Sequence, residues 1–168
     1  MKKFELTSEF ITNIFGTKLF RIKALVEFGD VEAGELGGYI EKEENLDHDG
    51  NAWVYGDARV SGDARVYGNA WVYGNAWVYG DAQVSGDADY AYAHGFGSIN
   101  RTTTFFRLKD GGVGVRCGCF YGTLQEFRDK VRETHGDSAI AEEYLDLAAL
   151  MEKRFRRTAN EQKTEKES

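Results

Sequence analysis

Residues 50–91 read GNAWVY, GDARVS, GDARVY, GNAWVY, GNAWVY, GDAQVS and GDADYA, seven six-residue units in register from Gly50 to Ala91. Within a unit, Ala and Val lie two positions apart. In an extended chain Ala58 and Val60 therefore point to one side, while Arg59 and Ser61 point to the other. Gly followed by Asn or Asp supplies turn backbone at each corner. Each unit is a short strand plus a corner. Its inward side chains are too small to fill a sandwich core, but stacked coils of such strands bury them along one narrow axis.

This stretch resembles the hexapeptide repeat of left-handed parallel β-helices, in which an aliphatic residue and a small residue four positions later face inward. In that family three units close each triangular coil, and the connection has the unusual left hand. Upstream, Ile40 and Leu46 keep the six-residue spacing, and the eight-residue step from Leu46 to Val54 places a two-residue insertion around Asp47–Gly50. The expected class is mainly β: a left-handed parallel β-helix of about three coils over residues 38–91, preceded by a β cap over 1–37. A C-terminal α+β region over 92–158, a hairpin plus two helices, and a disordered tail over 159–168 complete the chain.

With a coil of three units, residues eighteen apart stack, so Trp53 lies under Trp71, Tyr55 under Tyr73, Arg59 under Trp77 and Ser61 under Tyr79. Rings of this size bury roughly 150–250 Å² each, and an exposed stack of them exceeds what a monomer tolerates. Trp53, Tyr55, Trp71, Tyr73, Trp77 and Tyr79 are thus candidate interface residues. Their cover is another part of this chain, a symmetric subunit or a foreign protein; the family resemblance favours a homotrimer. The Asn/Asp column at the corners is explained by turn formation without calcium.

The chain has 168 residues, 42% apolar and 29% charged, with 20 glycines and no proline. That composition excludes wholesale disorder, and no apolar run approaches the ~20 residues of a membrane span. The start, MKKFELTSEF, lacks the features of a signal peptide, so a cytoplasmic location is expected. Cys117 and Cys119 are then reduced, and their spacing does not match a metal knuckle; no metal and no cofactor are expected. Net charge is −7, which disfavours duplex nucleic acid. The sign is uneven, however: residues 24–50 carry −8 and residues 92–122 carry +3. The basic segment can hold a small anion.

Lys18–Val26 reads as a strand that, with the Gly-rich DVEAGELGGY, caps the N-terminal end of the solenoid. After the repeats, Ser98–Leu108 and Val113–Tyr121 flank Asp110–Gly111, a two-residue hairpin signal. That turn sets Leu108 opposite Val113, Phe106 opposite Val115, Thr104 opposite Cys117 and Thr102 opposite Cys119 as a core face. The other face gathers Arg101, Thr103, Phe105, Arg107, Arg116 and Phe120 with two glycines. Arginine forks bind phosphate, threonines add hydrogen bonds and rings stack on bases, so these six are candidate residues for a nucleotide-like anion. The alternative is that the arginines pair with the protein's own acids or lie against the aromatic patch. Thr123 opens a helix with a capping box, Gly136 ends it, and a second helix follows from near Asp137.

Hexapeptide-fold acyltransferases seat coenzyme A between coils and use a histidine as general base. His48 and His94 stand closest to the coils, and no carboxylate is positioned by sequence to orient either. The whole chain is also similar to hexapeptide-repeat proteins of bacteriophages and prophages, through GELGGYIEKEENL before the repeats and NRTTTFFRLKDGGVGVRCGCFYGTLQEF after them. That resemblance implies a small accessory protein in an infected cell, acting against a host defence by sequestering a nucleotide signal or occupying a host protein. Binding without turnover is the expected function.

Overall fold

The repeat dictates the centre of the molecule. The computed structural model describes residues 1–98 and 101–167; Ile99 and Asn100, expected in the first hairpin strand, and Ser168 lie outside the described residues. The chain runs β1 (Phe4–Thr12), β2 (Lys18–Ala24), β3 (Leu36–Ile40), then the short repeat strands β4 (Trp53–Val54), β5 (Arg59–Val60), β6 (Arg65–Val66), β7 (Trp71–Val72), β8 (Trp77–Val78) and β9 (Gln83–Val84). Parallel ladders join residues eighteen apart: Trp53 with Trp71, Arg59 with Trp77, Arg65 with Gln83. Ile40 pairs with Val60 and Leu46 bridges to Val66, twenty residues away. The extra two residues are the insertion expected around 47–50.

Every inward Ala and Val from Ala52 to Val84 is fully buried, so the solenoid axis is lined by small apolar side chains. Each buried Val contributes roughly 1.5–3 kcal/mol, enough in aggregate to hold strands only two residues long. Gly50 shows why the corners are glycine: its φ is 71°, and a Cβ there would lie 2.5 Å from the Gly68 carbonyl oxygen on the next coil.

At the N-terminal end, β1 and β2 form an antiparallel hairpin, and β3 pairs antiparallel with β2 on one side and parallel with β5 on the other. The cap is therefore one sheet with the solenoid. Strand β1 was not anticipated from the sequence, because its apolar residues lack a simple alternation. The Gly37–Gly38 pair is required by contact: a Cβ on Gly37 would sit 2.6 Å from Val54 O, and one on Gly38 2.6 Å from Ala58 O. Under this cap Trp53 is completely buried, edge-on to Phe4 and Phe28 at 6.4 and 5.3 Å.

Beyond the solenoid, β10 (Tyr90–His94), β11 (Thr102–Arg107), β12 (Val113–Cys117) and β13 (Phe120–Thr123) form an antiparallel sheet in that order, followed by α1 (Leu124–His135) and α2 (Ala139–Glu167). Thr123 caps α1 as expected, accepting from Glu126 N, with the Glu126 carboxylate returning to Thr123 N. Helix α2 continues to Glu167, correcting the disordered tail expected from 159. Gln162 reaches Asp89 at 3.2 Å and Arg157 pairs twice with Glu161, contacts that a compositional reading does not reveal. No described helix is long and apolar enough to cross a membrane.

The hairpin register also differs from the expectation. Arg107 pairs with Val113, Phe105 with Val115, Thr104 with Arg116 and Thr103 with Cys117. The turn is wider than two residues: Leu108 N–H donates to Gly112 O and Gly111 N–H to Leu108 O, while Asp110 Oδ1 accepts from Gly112 N. A one-residue slip exchanges the facing of side chains on one strand relative to the other. Thr103, Phe105, Val115 and Cys117 thus share the face covered by the helices, and Thr104, Phe106 and Arg116 face the solenoid.

Candidate functional site

The slip disperses the six hairpin residues expected to hold a ligand. Thr103 is buried and donates to Cys117 Sγ; Phe105 and Phe120 pack on Phe127. Arg107 is committed to Phe155 O at 3.1 Å and Thr158 Oγ1 at 3.2 Å, with Asp89 3.9 Å away. Arg116 lies on the opposite face; Arg101 and Phe120 still share a small recess of about 160 Å³ against α1, and of the six Arg101 is the one that lines the larger cleft on the solenoid side.

That cleft, about 490 Å³, lies between the cap, one flank of the solenoid and the end of the C-terminal sheet. The ladder Tyr39, Arg59, Trp77 forms its floor, because β3, β5 and β8 stack those three outward residues in register. His94 and Arg101 close it from the sheet. Gly118, at φ 58°, leaves the space that the Arg101 guanidinium occupies; a Cβ there would collide with it. Asp57 is the one acid of the lining, so a protein of net charge −7 gathers two arginines and a histidine around this opening. Trp77 is fixed by Nε1–H donation to Ser61 Oγ at 2.9 Å and N–H donation to Thr104 Oγ1 at 3.0 Å. Tyr39 is held by Arg21, whose guanidinium also meets Glu9 and Gly37 O.

The histidines divide sharply. His48 stacks on Phe4 at 4.3 Å, accepts from Lys3 N at Nδ1 and contacts Glu43 through Nε2, so both ring nitrogens are occupied. It is a structural residue, fixed as the Nε2–H tautomer when neutral. His94 Nδ1 meets Thr102 Oγ1 at 2.8 Å, and its Nε2 has no partner among the described residues. Deep to the cleft, Arg116 stacks on Trp77, and burial away from any carboxylate lowers its pKa.

The aromatic column is likewise divided. Trp53 is buried under the cap, and Trp77 and Tyr79 lie partly under the sheet, with Tyr121 5.0 Å from Tyr79. Tyr55 and Trp71 remain half-buried, and Tyr73 is 48% exposed. This chain's own ends therefore cover most of the surface that suggested a partner. Sequence reasoning placed Arg59 under Trp77 but did not select it; the sequence holds no signal that the sheet folds back over that column.

Three overlapping segments, 52–66, 64–80 and 70–86, match the family described as YdcK Beta solenoid repeat. The middle of this chain is a β-solenoid repeat. Over 62 residues the chain is 40% identical to a protein of Escherichia coli (strain K12) named uncharacterized acetyltransferase YdcK. The match covers 33% of this chain and 19% of the relative, so this chain spans about a fifth of that protein's length. Among the described residues no cluster of three or more His, Cys, Asp or Glu side chains is arranged to hold a metal.

Proposed function

We propose that this protein binds a small phosphate-bearing, nucleotide-like anion in the cleft between the solenoid and the C-terminal sheet. The observation that carries the reading is the convergence of Arg59, Arg101 and His94 over the Trp77 and Tyr39 rings. Guanidinium forks take phosphate oxygens, and a fixed ring stacks a base for about 1–3 kcal/mol. The reading takes the solenoid as the left-handed, three-coil form and binding, rather than turnover, as the activity. The resemblance to phage and prophage proteins supports sequestration of a nucleotide signal.

Calorimetric titration with a panel of mononucleotides and cyclic nucleotides tests it. Binding is expected with at least one of them, weakened about tenfold or more by Arg59→Ala or Arg101→Ala, since each charge-assisted contact contributes roughly 1.5–3 kcal/mol. No heat with any nucleotide, or affinity unchanged in both variants, overturns it.

The Nε2 of His94, without a partner among the described residues, and the name of the E. coli relative favour a second reading, acyl transfer from coenzyme A. Coenzyme A is itself an anionic nucleotide, and His94 would take the proton from the attacking acceptor as general base. This reading predicts thiol release from acetyl-coenzyme A with a panel of amines and sugars, lost in His94→Ala. Turnover that persists in that variant removes it.

A further inference from the structure

Arg116 is 2% exposed, and its Nε and Nη2 atoms have no hydrogen-bond partner among the described residues. Those two atoms lie on one edge of the guanidinium and form the side-on fork that grips both oxygens of a carboxylate or phosphate. The chain carries 28 acidic residues, yet none of the described ones forms an ion pair with Arg116. A buried charged donor pair left without an acceptor is costly and calls for a reason.

Three aromatic rings surround the guanidinium, and its Nε and Nη2 edge is enclosed along with its faces. Its carbon lies 4.0 Å from the Trp77 ring centroid, 4.6 Å from Tyr79 and 4.8 Å from Phe15. A planar guanidinium has only two faces, so of three rings around it one stands against an edge, and displacing that ring opens the edge to an oxyanion while the stacked faces stay in place. The walls are not equally fixed. Trp77 is hydrogen-bonded at both its backbone and its indole, and Tyr79 packs on Tyr121. Phe15 stands in the turn between β1 and β2 with 55% of its surface exposed. Its backbone N–H is pinned to Asn13 Oδ1 at 2.9 Å, so the ring can swing about its Cα–Cβ bond while the turn stays intact.

We infer that Arg116 is an oxyanion receptor closed by the Phe15 ring, which swings aside to let a phosphate or carboxylate pair with Nε and Nη2. Trp77 joins it to the cleft, since that ring both lines the cleft and stacks on Arg116. The inference deepens the cleft reading and rests on it for the route of entry. It assigns the acidic group of the ligand to a residue one ring behind the visible opening.

Side-chain Nε–Hε resonances of uniformly ¹⁵N-labelled protein provide the test, with the Arg116 signal identified by its absence in Arg116→Lys. Titration with inorganic phosphate, and separately with acetate, distinguishes a phosphoryl from a carboxylate ligand. The expected result is a saturable downfield shift of the Arg116 Hε with phosphate. Phe15→Ala, an exposed turn substitution that leaves the fold intact, should tighten the response about tenfold, because a mostly closed gate divides the intrinsic affinity by the open fraction. An Arg116 signal unmoved by either anion in both wild type and Phe15→Ala overturns the inference. Nucleotide binding that persists in Arg116→Lys while failing in Arg101→Ala would leave the cleft reading standing and remove only this one.

Discussion

Two buried cations sit at opposite ends of the solenoid, and their surroundings differ in kind. Lys3, 3% exposed under the N-terminal cap, donates from Nζ to Ala52 O at 2.9 Å and Gly50 O at 3.3 Å and lies over the Phe28 ring. Arg116, under the C-terminal sheet, has rings around it and an unpaired edge. Carbonyl acceptors turn the first cation into a rivet between cap and coil. The second contributes no comparable tie, which sets the cap apart as a structural joint and leaves the sheet as the side on which the proposed ligand would be held.

The contrast can be broken most severely at the cap. Trp53→Ala should destabilise the protein by about 3–5 kcal/mol in urea unfolding, because it empties the space beneath Phe4 and Phe28. A loss below about 1 kcal/mol would mean that the cap is not seated on the first coil. The next effect is one of pH. Burial pulls the Lys3 pKa down to about 8 from 10.5, despite the opposing pull of Asp47 and Asp49. Between those values the unfolded chain holds a proton that the folded chain has released, so folding stability rises with pH across that window, by up to roughly 3 kcal/mol. Below pH 8 both states are protonated and the charge penalty is fully present. Lys3→Met should abolish the rise between pH 8 and 10; a pH profile parallel to the parent would refute the assignment. The smallest change is expected at the other cation. Arg116→Met should stay within about 1 kcal/mol of the parent, since no polar partner is orphaned by its removal. A loss above about 2 kcal/mol would make Arg116 as structural as Lys3.

Identical words in the repeat acquire different meanings, and this limits what the sequence reveals. Trp53 and Trp71 both stand in GNAWVY, yet the first is fully buried and the second only partly. The inward Ala and Val positions are set by the repeat itself, so the eighteen-residue ladder and the two-residue insertion were legible. The outward positions depend on what folds back over them, and no local pattern encodes that. The hairpin failed for a sharper reason. Asp110–Gly111 is a strong turn signal, but Lys109 joined the turn as well, so that Leu108 pairs with Gly112, and one additional residue moved Arg116 from the supposed ligand face to the solenoid. Of the candidate cleft, Arg101 and His94 had been singled out and Trp77 had been read as an interface residue; Arg59 and Tyr39 needed the coil geometry.

The ladder Tyr39, Arg59, Trp77 also makes coil number a measured dimension. Its first member comes from the strand that joins the cap, its last from the rung under the sheet, and both ends are closed, by antiparallel β2 below and by Thr104 of β11, whose hydroxyl accepts from Trp77 N–H, above. One further eighteen-residue turn spliced into the middle would preserve every inward contact and lengthen the prism by about 4.8 Å. It would also carry Tyr39 that much farther from Arg101. Natural lengthening or shortening of the repeat would then act as a caliper, resizing the recess between two unchanged jaws.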